Sequence, residues 1–196
     1  MAIPFVGLTG GMGAGKSEAL RALERLGAAT LSSDAVVHEL YESDEVRDLL
    51  VERLGPGVAP GGRVDRGLVA EAVFADPELR AWLEGIIWPR VGARIAEWRA
   101  ELERRPQPPR AAVVEVPLLF ESGMEAGFDH TIAVVADDEI RLRRTAERDH
   151  AALAEREARQ LSQEEKARRA DFTVRNDGTI SELEEELSRV LASIDE

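Results

Sequence analysis

The chain has 196 residues, 44% of them apolar and 32% charged, with a formal net charge of −13. This composition fits one folded core and excludes a disordered chain, and so acidic a balance argues against a general nucleic-acid binder, which needs basic surface to displace counterions. Cysteine is absent, which excludes disulfides, thiolate metal sites and cysteine nucleophiles and suits the cytoplasm. No stretch nears the roughly 18 apolar residues of a membrane-spanning helix, so no membrane association is expected.

Residues 1–5 carry no basic region, and the apolar run at 3–8 ends in glycines instead of a cleavage site, so it reads as a first strand. Leu20, Leu23 and Leu26 then recur at helical spacing. Residues 28–31 predict a second strand, and Asp34 falls where the chain leaves it to start a helix with Val37, Leu40 and Tyr41 on one face. The helical pattern over residues 44–54 is stopped by Gly55-Pro56-Gly57, and Pro60-Gly61-Gly62 marks a loop before Asp65. Helices are expected over residues 65–74 and 77–102, with Pro89 as a kink or break and Arg105-Pro106-Gln107-Pro108-Pro109 as a linker. The apolar runs at 111–116 and 131–136 are short enough to be buried parallel strands. Residues 139–170 are charged and helix-prone, 172–175 form a brief strand, and 181–194 form a closing helix. Strands alternating with helices imply an α/β fold with a parallel sheet flanked by helices and a ligand site at the carboxyl ends of its strands.

The segment Gly10-Gly11-Met12-Gly13-Ala14-Gly15-Lys16-Ser17 fits G-x-x-x-x-G-K-[ST] at every required position, after a strand and before a helix. Glycines allow backbone N–H groups to cradle phosphate oxygens, and the helix adds the positive end of its dipole. Lys16 can reach the β- and γ-phosphates of ATP, and Ser17 can ligate Mg²⁺. Only Lys16 and Lys166 are lysines in a chain otherwise supplied with arginine, so a compact ammonium is selected at position 16. The loop at 10–17, Asp34 and residues 115–117 are all expected at one end of the sheet.

A kinase also needs a carboxylate to orient or deprotonate the acceptor hydroxyl, and Asp34 is the candidate; it is equally an N-cap for the helix starting near Ala35. Glu115 either holds a magnesium-bound water or is an edge-facing polar residue. Arg141, Arg143, Arg144 and Arg148 crowd one segment, followed by Asp149, Arg156 and Arg159. Arg144 and Arg148, four apart, either grip a transferring phosphoryl group together or belong to a solvated helix with salt bridges to Glu147 and Glu155.

Beyond the phosphate loop, the chain carries Asp65-Arg66, Val73-Phe74-Ala75-Asp76-Pro77, Val116-Pro117-Leu118-Leu119-Phe120-Glu121, Arg144 with Arg148-Asp149, Gln160, and Ala170-Asp171 with Asn176 and Gly178. In these motifs and their order it resembles the dephospho-CoA kinases over essentially its whole length. The resemblance implies ATP-dependent transfer to the 3′-hydroxyl of the dephospho-CoA ribose, the last step of coenzyme A biosynthesis. It implies Asp34 as catalytic base beside Lys16, Arg144 and Arg148 in a phosphate-binding lid, and Asn176 and Gly178 beside the adenine, with Gly11, Met12, Gly13, Ala14, Gly15, Lys16 and Ser17 on the phosphates. The nucleotide-binding core is expected at 1–37, 109–137 and 170–196, an inserted helical acceptor subdomain at 38–108 and a helical lid at 138–169.

The chain departs from the family where Asp-Ala-Asp is replaced by Ser32-Ser33-Asp34, Ala-Arg by Val37-His38 and His-Pro by Trp88-Pro89. These departures fall on the acceptor side and leave the phosphate loop whole; Trp88, on an apolar helical stripe, is expected in the core. Two rivals remain: a kinase of the same class acting on a nucleoside or another small hydroxyl compound, and a nucleotide-binding regulatory protein without an acceptor. The partner expected is a small molecule, with no nucleic acid, and the chain is expected to be a monomer or weak homo-oligomer.

Overall fold

The computed structural model describes residues 2–74, 76–146 and 160–195. Its five strands are β1 (Phe5–Gly10), β2 (Ala29–Ser32), β3 (Ala112–Glu115), β4 (His130–Val135) and β5 (Phe172–Arg175). They form one sheet in the order β2-β3-β1-β4-β5, parallel throughout. Helices in the described residues are α1 (Lys16–Arg25), α2 (Ser33–Glu42), α3 (Asp44–Leu54), α4 (Arg66–Phe74), α5 (Pro77–Glu103), α6 (Asp138–Thr145), α7 (Gln163–Arg169) and α8 (Ile180–Ile194).

The chain divides into two compact units, residues 1–32 with 99–196, and residues 33–98. In the first, β1 lies at the centre of the sheet and is buried at every position, the reason its sequence is a continuous apolar run without alternation. Helices α1 and α8 cover the sheet with Ala19, Ala22 and Leu23 from one and Leu183, Leu187 and Leu191 from the other. Helix α8 opens on a reciprocal capping box: Thr179 Oγ1 accepts from the Glu182 amide and the Glu182 carboxylate accepts from the Thr179 amide. Truncating fully buried Leu187 to alanine is expected to cost about 2–5 kcal/mol of stability, read by urea denaturation.

Between β4 and β5, Asp171 accepts from both the amide and the hydroxyl of Thr131 at 2.8 Å, while its own amide donates to Thr131 Oγ1 at 3.0 Å. Part of the Ala170-Asp171 signature therefore locks two strand beginnings together.

The second unit is helical, and among its buried side chains are Val36, Val46, Leu50, Val69, Val73 and Ile87. Asp65 and Asp76 each accept from two backbone amides at the starts of α4 and α5. Helix α5 runs unbroken through Pro89, where a kink or break is expected from sequence. Its buried residues Ile87, Val91 and Ile95 recur every four positions, and Trp88, one step off that stripe, is 37% exposed instead of in the core. The last turn of α5 belongs with the first unit: Leu102 is fully buried and the Arg99 guanidinium lies 4.5 Å from the Phe5 ring centroid.

Strand ends shift by one or two residues from those read in the sequence. The charged stretch at 139–170 contains α6 and α7, while Arg148, Asp149, Arg156 and Arg159, like Ala75, lie outside the described residues.

Candidate active site

The loop joining β1 to α1 owes its path to glycine. Gly13 and Gly15 have φ of 75° and 91°, in the left-handed region. A Cβ on Gly13 would come within 2.7 Å of the Arg141 carbonyl oxygen, and one on Gly15 would run into the Asn176 side-chain amide. Gly15→Ala is therefore expected to abolish measurable ADP binding in a titration, with far-UV circular dichroism unchanged.

The Ala14 amide turns back to Gly11 O at 3.2 Å. The amides of Gly13, Gly15 and Ser17 donate to no group among the described residues, and no side chain caps α1 at Gly15. Unpartnered donors at a helix amino terminus, reinforced by its dipole, make an anion cradle. Lys16 Nζ lies over the same loop, donating to Gly10 O at 3.0 Å and Gly11 O at 3.3 Å. Ser17 is exposed, and its hydroxyl has no partner among the described residues.

Three side chains from later in the chain brace the cradle from outside. Arg141 Nε donates to Met12 O at 2.8 Å, and Arg144 donates to Gly13 O at 3.3 Å and Asn176 O at 3.2 Å. Buried Asn176 donates from Nδ2 to Ala14 O at 2.8 Å, a contact 162 residues apart in sequence. The Met12, Gly13 and Ala14 carbonyls are thus each engaged by a charged or amide donor, while the amides of Gly13, Gly15 and Ser17 remain for a ligand. Arg141, one of an arginine crowd in the sequence, is as closely engaged as Arg144.

Gly178 stands just before α8, where a Cβ would collide with the Glu182 carboxylate that caps the helix, so a structural reason for glycine exists there as well.

At the neighbouring strand ends, Ser32 and Glu115 are register partners, and Ser32 Oγ donates to Glu115 Oε2 at 3.0 Å. A serine here supplies a neutral donor where an aspartate would set two carboxylates against each other. Asp34 lies two positions on, in the first turn of α2 and within the unit of residues 33–98. It is exposed, and among the described residues its carboxylate caps no amide and has no partner; the helix starts at Ser33, so the N-cap role open in the sequence is not taken. His38 has Arg66 at 3.4 Å and Glu42 at 3.6 Å as its polar neighbours.

Lys166 in α7 is the largest fully buried side chain among the described residues, and its sequence context gives it no role. Its Nζ reaches Pro117 O at 2.5 Å, Glu121 Oε1 at 3.1 Å and Thr9 Oγ1 at 3.5 Å. Burial holds its pKa below the usual lysine range, opposed by the hydrogen bond to Glu121. A charge run, Lys166-Ala167-Arg168-Arg169, hides it from pattern reading, because such runs normally face water.

Among the described residues no helix is long and apolar enough to cross a membrane, and no cluster of three or more histidine or acidic side chains could hold a metal. A Deinococcus radiodurans dephospho-CoA kinase is 40% identical over 97% of this chain and 92% of its own length, and one from Protochlamydia amoebophila is 41% identical over 93% and 92%. The crystal structure of TT1252 from Thermus thermophilus superposes with a TM-score of 0.82 at 35% identity, covering 98% of both chains. A dephospho-CoA kinase from Campylobacter jejuni shares the fold, with a TM-score of 0.62 at 24% identity over 96% of each chain. The model of the dephospho-CoA kinase family matches residues 4–182, and with the phosphate loop, the parallel sheet and these relatives in agreement, the chain belongs to that family.

Proposed function

We propose that the chain transfers the γ-phosphoryl group of ATP to the 3′-hydroxyl of the dephospho-CoA ribose. The observation that carries the phosphate half is the cradle of unpartnered amides at Gly13, Gly15 and Ser17 beneath Lys16. The acceptor half follows the family.

In this reaction the acceptor oxygen forms its bond to the γ-phosphorus as the bond to the β–γ bridging oxygen breaks, and ADP leaves. The exposed Asp34 carboxylate accepts the hydroxyl proton. Lys16 and the loop amides stabilise charge on the phosphoryl oxygens in place, so the contribution of the protein is mainly positioning and electrostatics. Arg144 stiffens the loop through Gly13 O, and Arg148, outside the described residues, is assigned to the same phosphate-binding group by resemblance. Asn176 sets the loop at Ala14, and with Gly178 lies beside the nucleotide base in this reading. By the resemblance the acceptor is assigned to the helical unit of residues 33–98 and the lid to the segment 138–169, part of which lies outside the described residues.

Magnesium fits the exposed, partnerless hydroxyl of Ser17 together with phosphate oxygens, with Glu115 acting through water, and it would neutralise charge between the β- and γ-phosphates. Glu115 is turned to Ser32 in the structure, so its role in metal binding is secondary to that of Ser17.

The test is ADP release from Mg-ATP by purified protein, with dephospho-CoA and then with adenosine, AMP or pantetheine as acceptor. Release that depends on dephospho-CoA supports the assignment. Preference for another acceptor contradicts it, and acceptor-independent release points to the regulatory rival.

A further inference from the structure

Lysine is nearly excluded from this chain, and both lysines converge on one strand end. Lys16 bonds to Gly10 O, and Lys166 approaches the side chain of Thr9, the residue before it. Thr9 Oγ1 in turn donates to Pro117 O at 3.3 Å, so the end of β1 and the segment after β3 are tied both directly and through the Lys166 ammonium. The three acceptors, Thr9 Oγ1, Pro117 O and Glu121 Oε1, come from two segments and match the three donors of one ammonium group. Glu121 Oε1 also accepts from the Leu161 amide at 2.7 Å, which fixes the approach to α7. A planar guanidinium could not serve these acceptors from one point, which accounts for lysine where arginine is otherwise used. An apolar side chain would fill the space at lower desolvation cost, so the buried charge contributes direction and not packing.

We infer that Lys166 is a positioning residue that holds the carboxyl ends of β1 and β3 together and thereby sets the phosphate loop for nucleotide binding. The inference rests on the phosphate-loop reading of residues 10–17 and is independent of the acceptor. Its path is short: Lys166 to Thr9, Thr9 to Gly10 along the chain, and Gly10 O to Lys16 Nζ.

The experiment is titration of the intact protein with Mg-ADP, with thermal melting recorded alongside. Lys166→Met is expected to weaken ADP binding about tenfold or more. Thr9→Val, which keeps the volume and removes the hydroxyl, is expected to weaken it about threefold and decides the matter if Lys166→Met does not fold. Leu187→Ala, on the buried face of α8, is expected to lower the melting temperature at unchanged ADP affinity. Unchanged affinity in the foldable position-9 and position-166 variants overturns the inference, as does an equal loss in Leu187→Ala. A wild-type protein that binds no ADP overturns the phosphate-loop reading and this inference with it, whereas wild-type binding matched by Lys166→Met overturns this inference alone.

Discussion

Replacing Lys16 with methionine is expected to lower kcat/KM for ATP by on the order of 10³-fold, with the fold intact. The substitution keeps the length of the stem and removes the charge. In the structure Nζ donates to the loop carbonyls of Gly10 and Gly11, and an ATP phosphate offers it full negative charge. The bonds to carbonyl oxygen keep the ammonium beside the loop that the motif assigns to the phosphates. The effect belongs in kcat as well as KM, because charge on the transferring group changes between ground state and transition state. A loss confined to KM would assign Lys16 to binding alone.

The second large effect is at Asp34. Asp34→Asn is expected to lower kcat by on the order of 10²–10⁴-fold, with KM for ATP nearly unchanged. Asparagine keeps size and polarity and loses the ability to take a proton. Because the carboxylate is exposed and caps no amide among the described residues, stability is expected to stay within about 0.5 kcal/mol, read by denaturant titration. Loss of stability with retained turnover would return Asp34 to a structural role. The comparison is clean because the nucleotide cradle lies on residues 10–17 and Asp34 is in a different compact unit.

The cradle was legible in sequence because its chemistry is local. Eight consecutive residues must supply glycine, lysine and hydroxyl at set positions, and the strand before them and the helix after them follow from short-range periodicity. The parallel sheet was legible for a related reason: strands buried on both faces read as apolar runs, as β1 and β4 do. Residues acting across long separations were not. The resemblance singles out Asn176 but not its bond to Ala14, and nothing singles out Lys166 at Thr9; both contacts span more than 150 positions, and spacing rules have no reach of that kind. Lys166 was further concealed by neighbours Arg168 and Arg169, which are exposed while it is buried. Trp88 misled in the opposite direction, since an apolar residue one step off a four-residue stripe still looks like core when the stripe is loosely drawn. At Asp34 sequence left capping and catalysis equal, and it took the start of α2 at Ser33 to remove the first.

The measurement that bears most directly on the central claim is the position of phosphate in the product. After incubation with Mg-ATP and dephospho-CoA, phosphorus NMR and mass spectrometry are expected to show a new 3′-phosphomonoester on the ribose, formed in step with ADP. ADP accompanied by inorganic phosphate and unchanged dephospho-CoA would contradict the account.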